Sequence, residues 1–398
     1  PLYRLDKISG RDSSLFDRLP SATSILATVL DNGNTYHFTE YQNSHQFNFC
    51  YRDLHSKLLK CEISVNLPVR IAHANLYYQR MGRHDVSRQS IFFEPNIWLR
   101  GNAWEIKAKM NSELPDLTTM VNYRDDSNPM NIILGNTQLR NIHYYDIEGG
   151  KTFEGKKHNR LNINMGYHQT DNAVAYSLVF DKQTGVSTVQ PISVNGNYRI
   201  DLGIGYTRPL DKKEKLSIDN QASFNYNHNV DMAMVQGATQ SQRSIVNNWK
   251  ISNVLKLNYR PDDNYEFTLH GGGTYYLIKS QREGFNNIHA GDYNIGVNVQ
   301  VALPWKLQLT TDLTMFARRG YQLSEMNTTD WIWNAQLSRS FINKKLLVKL
   351  QGFDMLRQLS NTQYLMNAQG RTETWNNSIP RYVMLSLSWR FNVNPKKK

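Results

Sequence analysis

Metal and nucleophile chemistry would have to run through the 11 histidines and 2 cysteines, so their spacing comes first. His73, His84, His143, His158, His168, His228, His270 and His289 are scattered, with no pair at the spacing of a zinc site. Cys50 and Cys61 can either pair in an oxidising compartment or stay as two thiols, and they do not amount to a disulfide scaffold. No G-x-S-x-G elbow and no Walker A loop occurs. Gly271-Gly272-Gly273 is a glycine run, but a phosphate loop must open a helix. This run falls inside a strand pattern, where glycine marks a bend or a close backbone approach. Asp312 and His270 are an acid and a base that a barrel enzyme could recruit, yet no nucleophile stands with them. The residue types therefore point to no catalytic centre, no metal and no cofactor, and the chain is not expected to be an enzyme.

Charge is equally undirected. The net charge is +12, but the basic residues are spread along the chain apart from Lys396–Lys398. No basic helix or nucleic-acid motif accompanies them, so no nucleic-acid partner is expected. Mean hydropathy is -0.58, and no apolar run is long enough for a transmembrane helix. A barrel strand, however, needs apolar residues only at alternate positions, which keeps its mean hydropathy low.

That alternation is the main signal. Side chains at successive strand positions point to opposite faces. From Leu216, one face reads Leu216, Ile218, Asn220, Ala222, Phe224, Tyr226, and the other Ser217, Asp219, Gln221, Ser223, Asn225. Tyr265–Leu277, Tyr293–Leu303, Leu307–Ala317 and Val383–Phe391 repeat the pattern, as do Trp104–Met110, Leu161–Tyr167 and Tyr198–Tyr206. The apolar faces carry no charge, as lipid demands; a basic residue at the bilayer midplane costs about 2–4 kcal/mol. Aromatic pairs bracket several of them, namely Tyr198 and Tyr206, Trp249 and Tyr259, and Tyr265 and Tyr275. Two aromatic girdles at headgroup level would look like this. The runs have the length of bilayer-spanning strands and exceed the usual soluble strand.

Connections alternate too. Short turns are expected near Leu67–Arg70, Arg100–Ala103, Glu154–His158, Pro209–Glu214, Arg260–Asn264, Leu303–Lys306 and Phe341–Lys344. Longer polar loops are expected at Asn229–Ser244, Lys279–His289, Arg319–Asp330 and Leu356–Pro380. Arg282, Arg318, Arg319 and Arg357 sit near the expected rim, where they would meet lipid phosphates or simply be solvated. The reading is an all-β, transmembrane, antiparallel up-and-down barrel of about 16 strands. Residues 1–60 hold N-terminal strands of uncertain placement (Ser21–Leu30 and Asn34–Gln42), and residues 61–398 form the barrel.

Six runs, three up to Leu139 and three near the end, carry a family resemblance. Pro115-Asp116-Leu117 is followed by Asp125-Asp126-Ser127-Asn128-Pro129 and then by Gly135-Asn136-Thr137-Gln138-Leu139. Near the end come Gly352-Phe353-Asp354-Met355-Leu356, Pro380-Arg381-Tyr382-Val383-Met384 and Trp389-Arg390-Phe391-Asn392. Together these resemble the C-terminal barrel region of TonB-dependent receptors of Bacteroidota and their outer-membrane relatives. Thr137 stands where that family usually has proline. The resemblance implies a bacterial outer-membrane location, contact with lipid and lipopolysaccharide, and a barrel that belongs in some members to one of about 22 strands. It also implies a plug domain and a TonB complex as partners, although neither a plug nor a TonB box is visible in the sequence. No signal peptide precedes Pro1, so either a leader has been removed or the chain belongs to a longer polypeptide.

The functional expectation is ligand uptake across the outer membrane, with the ligand and its binding residues unknown. Lumen-facing Asp219, Asp312, Lys349 and Arg390 would tune the electrostatics of passage. The alternatives are a structural or adhesive barrel that acts through its long loops, and, third, a barrel enzyme.

Overall fold

A computed structural model describes residues 2–4, 36–156, 158–235, 237–343, 345–359, 362–366, 371–375 and 379–391. Strand β1 (Leu2–Arg4) lies on one edge of β2 (His37–Ser56), and β3 (Cys61–Gln79) on the other. β4 (Val86–Phe93) and β5 (Asn96–Gly101) cover the two halves of β3, and β6 (Trp104–Glu113) follows β5. β7 (Arg124–Asp125) and β8 (Asn131–Leu134) leave the main sheet, which resumes with β9 (Ile142–Glu154) and β10 (Arg160–Asp171). β11 (Ala173–Phe180) and β12 (Ser187–Val194) form an outlying hairpin.

From there the meander is regular. It runs through β13 (Asn197–Pro209), β14 (Leu216–Ala233), β15 (Gln242–Asp262) and β16 (Tyr265–Ser280). It continues through β17 (Ile288–Leu303), β18 (Leu307–Arg319), β19 (Thr329–Phe341) and β20 (Leu346–Phe353). β21 (Thr362–Met366) and β22 (Arg371–Trp375) make a separate hairpin, and β23 (Tyr382–Trp389) pairs with β20. The main sheet holds 17 strands when β1 and the two pieces β4 and β5 are counted separately. All its pairings are antiparallel. The fold is an up-and-down antiparallel β-barrel sheet.

The register joins like face to like face. One row across the wall is Ile218, Leu257, Leu269, Val297, Leu313, Trp333, each directly opposite the next. The adjoining row, one residue along, is Asp219, Lys256, His270, Gly296, Thr314. A slip of one residue anywhere would put Asp219 or Lys256 on the apolar side, so the pattern fixes the register. The aromatic girdle is real on the first row's side: Tyr167, Tyr198, Tyr226 and Trp249 follow one another with ring centroids 6.1, 5.8 and 5.1 Å apart. At the other end Tyr259 stacks on Phe267. Ten residues of tilted strand separate Trp249 from Tyr259, a height of roughly 25 Å and about that of an outer-membrane apolar band.

Six of the seven expected short turns fall between strands, and one does not. Leu67–Arg70 is the middle of β3, and the first tight turn is at 57–60. Pro68 suggested a turn, but its missing N–H falls where the neighbouring strand is interrupted between β4 and β5. There the Glu94 N–H donates to the Pro68 carbonyl at 3.0 Å. On the opposite side the loops expected at Asn229–Ser244, Lys279–His289 and Arg319–Asp330 are each shorter than that, because the flanking strands run into them, β14 to Ala233 and β15 from Gln242 in the first, whereas the connection around Leu356–Pro380 spans the whole stretch from Phe353 to Tyr382. These strands of 18 and 21 residues outrun the 9–11 or so a bilayer needs and project beyond it. Ser21–Leu30 and Lys396–Lys398 lie outside the described residues, whereas β2 places 37–56 in the main sheet. Cys50 and Cys61 are free thiols, and Cys61 sits opposite Ser56 rather than Cys50.

An even number of antiparallel steps separates β2 from β23, so the two run in the same direction. An odd number of strands between them keeps a closed wall antiparallel throughout. β1 lies on that edge of β2 and antiparallel to it.

Val297→Lys puts a charge in the apolar belt and is expected to destabilise by about 2–4 kcal/mol. Asn298→Lys, one residue along, is expected to change stability by under about 0.5 kcal/mol. Urea unfolding in lipid vesicles, followed by tryptophan fluorescence, measures both; equal costs would mean the two faces are not distinct.

Candidate functional site

Mid-height side chains on the inner face are polar and mostly half-buried, while the two clusters of buried apolar residues on that face lie at the long-loop end. On β3 the inner face runs Ser64, Asn66, Arg70 and then Ala72, Ala74 and Leu76. Leu76 and Ala74 would be an apolar patch open to water. The β6–β9 connection folds inward and covers them with Leu117, Met120, Val121 and Leu139. The three runs between Pro115 and Leu139 build this inward knot. Asp116 caps a 3-10 turn over Leu117–Met120 by accepting from the Thr118 N–H at 2.9 Å. Asp125 accepts from the Ser127 hydroxyl at 2.7 Å and pairs at 2.9 Å with Arg80, whose side chain is 1% exposed. Asn136 accepts from the Gln138 N–H and donates through Nδ2 to the Pro191 carbonyl, each at 2.8 Å. Gly135 is required: a Cβ there would lie 1.8 Å from the Val121 carbonyl oxygen.

Above the knot, loops from three connections are sewn together. β8 joins β12 in parallel, and the order β11-β12-β8-β7 makes a four-stranded outer sheet. The β14–β15 loop docks on its free edge, the Phe180 N–H donating to the Thr239 carbonyl and the Ser241 N–H to the Leu178 carbonyl, both at 2.7 Å.

Farther round the mouth a second inner apolar patch, Val246, Ile278, Ile288 and Ala290, is covered by Phe285 and Tyr321 from two further loops. Burial, followed by its bond to Asp292, pushes the Tyr321 phenol well above its usual range. That hydroxyl donates to Asp292 Oδ1 at 2.8 Å.

Two polar assemblies lie on the inner wall below. At the β4–β5 break, Arg70 grips Glu94 through Nε at 3.0 Å and Nη2 at 2.7 Å. Glu94 also accepts from the Ser112 N–H at 2.8 Å, and the Ser112 hydroxyl meets His143 Nδ1 at 2.8 Å. The assembly ties three strands, β3, β6 and β9, to the interruption in the wall. On β9, β10 and β13, glycines 150, 166 and 203 floor a groove of about 320 Å³ beside Glu105, Glu148 and His168. His168 stands between two carboxylates, its Nδ1 at 2.5 Å from Asp146 and its Nε2 at 3.3 Å from Asp201.

The residues singled out by sequence are not brought together. Asp219 accepts from Thr207, and Asp312 from Asn334 Nδ2 at 2.9 Å. His270 leans over Gly296 towards Thr314, 3.4 Å from its hydroxyl, and no hydrogen bond among the described residues joins it to Asp312. Lys349 is on β20, opposite Ser338, and the Arg390 backbone closes on Lys345 at the short-turn end. Arg318 belongs to β18 and faces inward, 4.0 Å from Asp292, so it is not a lipid-facing rim residue. Arg319 spends its guanidinium on the Arg318 and Thr328 carbonyls and the Thr329 hydroxyl. Arg282 lines cavities at the mouth. The Arg70–Glu94 assembly and the mouth cavities had no sequence signal, because they are made by side chains distant in the chain.

Residues 238–389 match the model of the outer membrane protein beta-barrel family. The protein is a β-barrel of the outer membrane. No curated protein matches its sequence. Among solved structures, it is similar to an outer membrane protein, OmpT, of Vibrio cholerae, at 11% identity and TM-score 0.28, covering 90% of this chain and 99% of that one. It is also similar to the β domain of the Bordetella autotransporter BrkA, at 9% identity and TM-score 0.23, covering 75% and 99%. A third is OccK5 of Pseudomonas aeruginosa, at 10% identity and TM-score 0.24, covering 89% and 96%. The barrel thus keeps its short turns on one side and places the knot, the outer sheet and the covered apolar patches at the mouth on the other.

Gly135→Ala is expected to cost about 1–3 kcal/mol through overpacking against Val121 and, by loosening the knot's backbone, to speed tryptic cleavage after Arg124 and Arg140. The heat-dependent gel shift of the barrel is expected to remain. A separate check concerns pH. Burial alone would raise the Asp125 carboxyl, but the bonds from Ser127 and Arg80 outweigh it and hold it below the ordinary range. Its contribution is therefore present above the ordinary carboxylate pKa of about 3.9 and lost as pH falls through the lower folded value. Acid-stable protease digestion should show the knot loosening below that point in the wild type, with Asp125→Asn already loosened at neutral pH. Identical pH profiles for the two proteins would remove the pair from the account.

Proposed function

We propose that this barrel takes part in ligand uptake across the outer membrane, as the wall of a TonB-dependent receptor that works with a plug and an energising complex. The observation that supports this most is the inner wall. Its mid-height side chains are polar and mostly half-buried, and brace-like networks hold some of them, as a wet or protein-filled lumen requires. A barrel that only anchors loops has no need of a polar passage at mid-height. Inward-folded loops narrow the mouth above that passage and give an arriving ligand a structured entrance. The sequence resemblance of the Pro115–Leu139 runs supports the TonB-dependent assignment in particular. In this reading no residue makes or breaks a bond; the wall binds, orients and conducts.

A structural or adhesive role is the second reading. It is favoured by the four-stranded outer sheet, which is a firm external platform.

Cells with and without the intact gene should be given a casein digest and a dextran hydrolysate, both cut to sizes too large for porin diffusion. Depletion of either from the medium, stopped by a protonophore, is the expected result. Depletion that ignores the protonophore would contradict energised uptake. No depletion of either, with the barrel present in the outer membrane, would favour the adhesive reading.

A further inference from the structure

A cavity of about 430 Å³ opens at the mouth between β14, β15, the start of β11 and the β16–β17 loop. Its volume is that of a small-ligand site. Ser244, Asn248 and Val246 come from β15, Asn229 and Asp231 from β14, and Arg282 from the loop. Two of its polar atoms lack hydrogen-bond partners among the described residues, Ser244 Oγ and Asn248 Oδ1. Ser244 is only 6% exposed. A buried hydroxyl or amide oxygen left without a partner is unfavourable, so a ligand group that bonds to it relieves that cost. Arg282 completes the set. Its guanidinium lies 5.4 Å from the Phe285 ring, and no ion pair engages it among the described residues. Val246, Ala233 and Ala173 add an aliphatic surface, and no aromatic ring lines the cavity.

We propose that this cavity binds a short peptide by its free C-terminal carboxylate, as the recognition site of the uptake reading on which the proposal rests. The carboxylate sits on Arg282, a backbone N–H donates to Asn248 Oδ1, and the Ser244 hydroxyl takes a second backbone group. An aliphatic side chain packs against Val246 and Ala233. Three features favour a peptide over a sugar of the same size. A sugar ring is commonly held on an aromatic face, which the lining lacks. The lining instead pairs single amide and hydroxyl groups with a methyl-rich wall. It also offers a cation where a peptide ends in a charge.

The test uses the full-length protein in detergent, with a heat-dependent gel shift as proof of folding for every variant. Binding of the tripeptide Ala-Leu-Ala is measured by calorimetry against its C-terminal amide and against maltotriose. The free acid is expected to bind, the amide roughly tenfold or more weakly, and maltotriose not at all. Arg282→Gln should weaken the free acid by a similar factor and erase the preference over the amide. Ser244→Leu, which fills the cavity, should abolish binding of both peptides. No binding by the folded wild type, or binding that Arg282→Gln leaves unchanged, overturns the proposal; so does a preference for maltotriose. Tripeptide binding with no energised uptake by cells would keep this site and contradict the uptake reading. Uptake that persists in both variants would do the reverse.

Discussion

Lipid offers no hydrogen bonds to a backbone, and the wall of this protein is built around that constraint. Each N–H and C=O at bilayer depth must find its partner in a neighbouring strand. The antiparallel ladder from β2 to β20 and on to β23 meets that requirement strand by strand. Once the ladder is set, side chains have two destinations only, and the Ile218-to-Trp333 row and the Asp219-to-Thr314 row are the two outcomes. Even the interruption between β4 and β5 obeys the rule. Pro68 has no N–H to lose there, and Glu94 and Arg70 gather the loose ends.

Beyond the apolar belt the constraint lifts and a different one replaces it. The strands continue into water, and the inner face changes from polar at mid-height to apolar at Ala74, Leu76, Val246 and Ile278. Apolar surface facing an aqueous mouth is unfavourable until something covers it. The loops fold inward for this reason, and their polar backbones then need partners of their own. Asp116, Asp125 and Asn136 supply them in the knot. The mouth is therefore a structured entrance rather than a fringe of solvated loops, which is what ties the architecture to recognition and passage.

The wall was legible in the sequence because period-two alternation is local information. The inner and outer faces of β14, β16, β17, β18 and β23 can be read from adjacent residues alone. β2 was harder for a physical reason. Phe47, Phe49 and Tyr51 form its outer face opposite Val69, Leu67 and Val65, but Asn43 and His45 precede them on the same face, above the belt. Its pattern therefore changes character within one strand. Arg318 was misplaced because strand β18 runs further than its apolar face suggests. The knot motif was visible as a family resemblance, but its work, burying Leu76 under Met120 and Leu139, depends on contacts between distant parts of the chain. The same holds for the pairing of Arg70 with Glu94 and for the mouth cavity at Ser244.

The most direct test of the account is a cysteine scan along β17, from Tyr293 to Val301, in a Cys50→Ser, Cys61→Ser background. The folded protein would be reconstituted in lipid vesicles and reacted with a charged, water-borne maleimide. Alternation is expected: rapid labelling at Asn294, Asn298 and Gln300, and protection at Tyr293, Ile295, Val297 and Val299, with Gly296 left unchanged because His270 and the Leu313 carbonyl fill the space a side chain would need. Uniform labelling along the strand, or a period other than two, would contradict a barrel wall with lipid on one side and a polar lumen on the other.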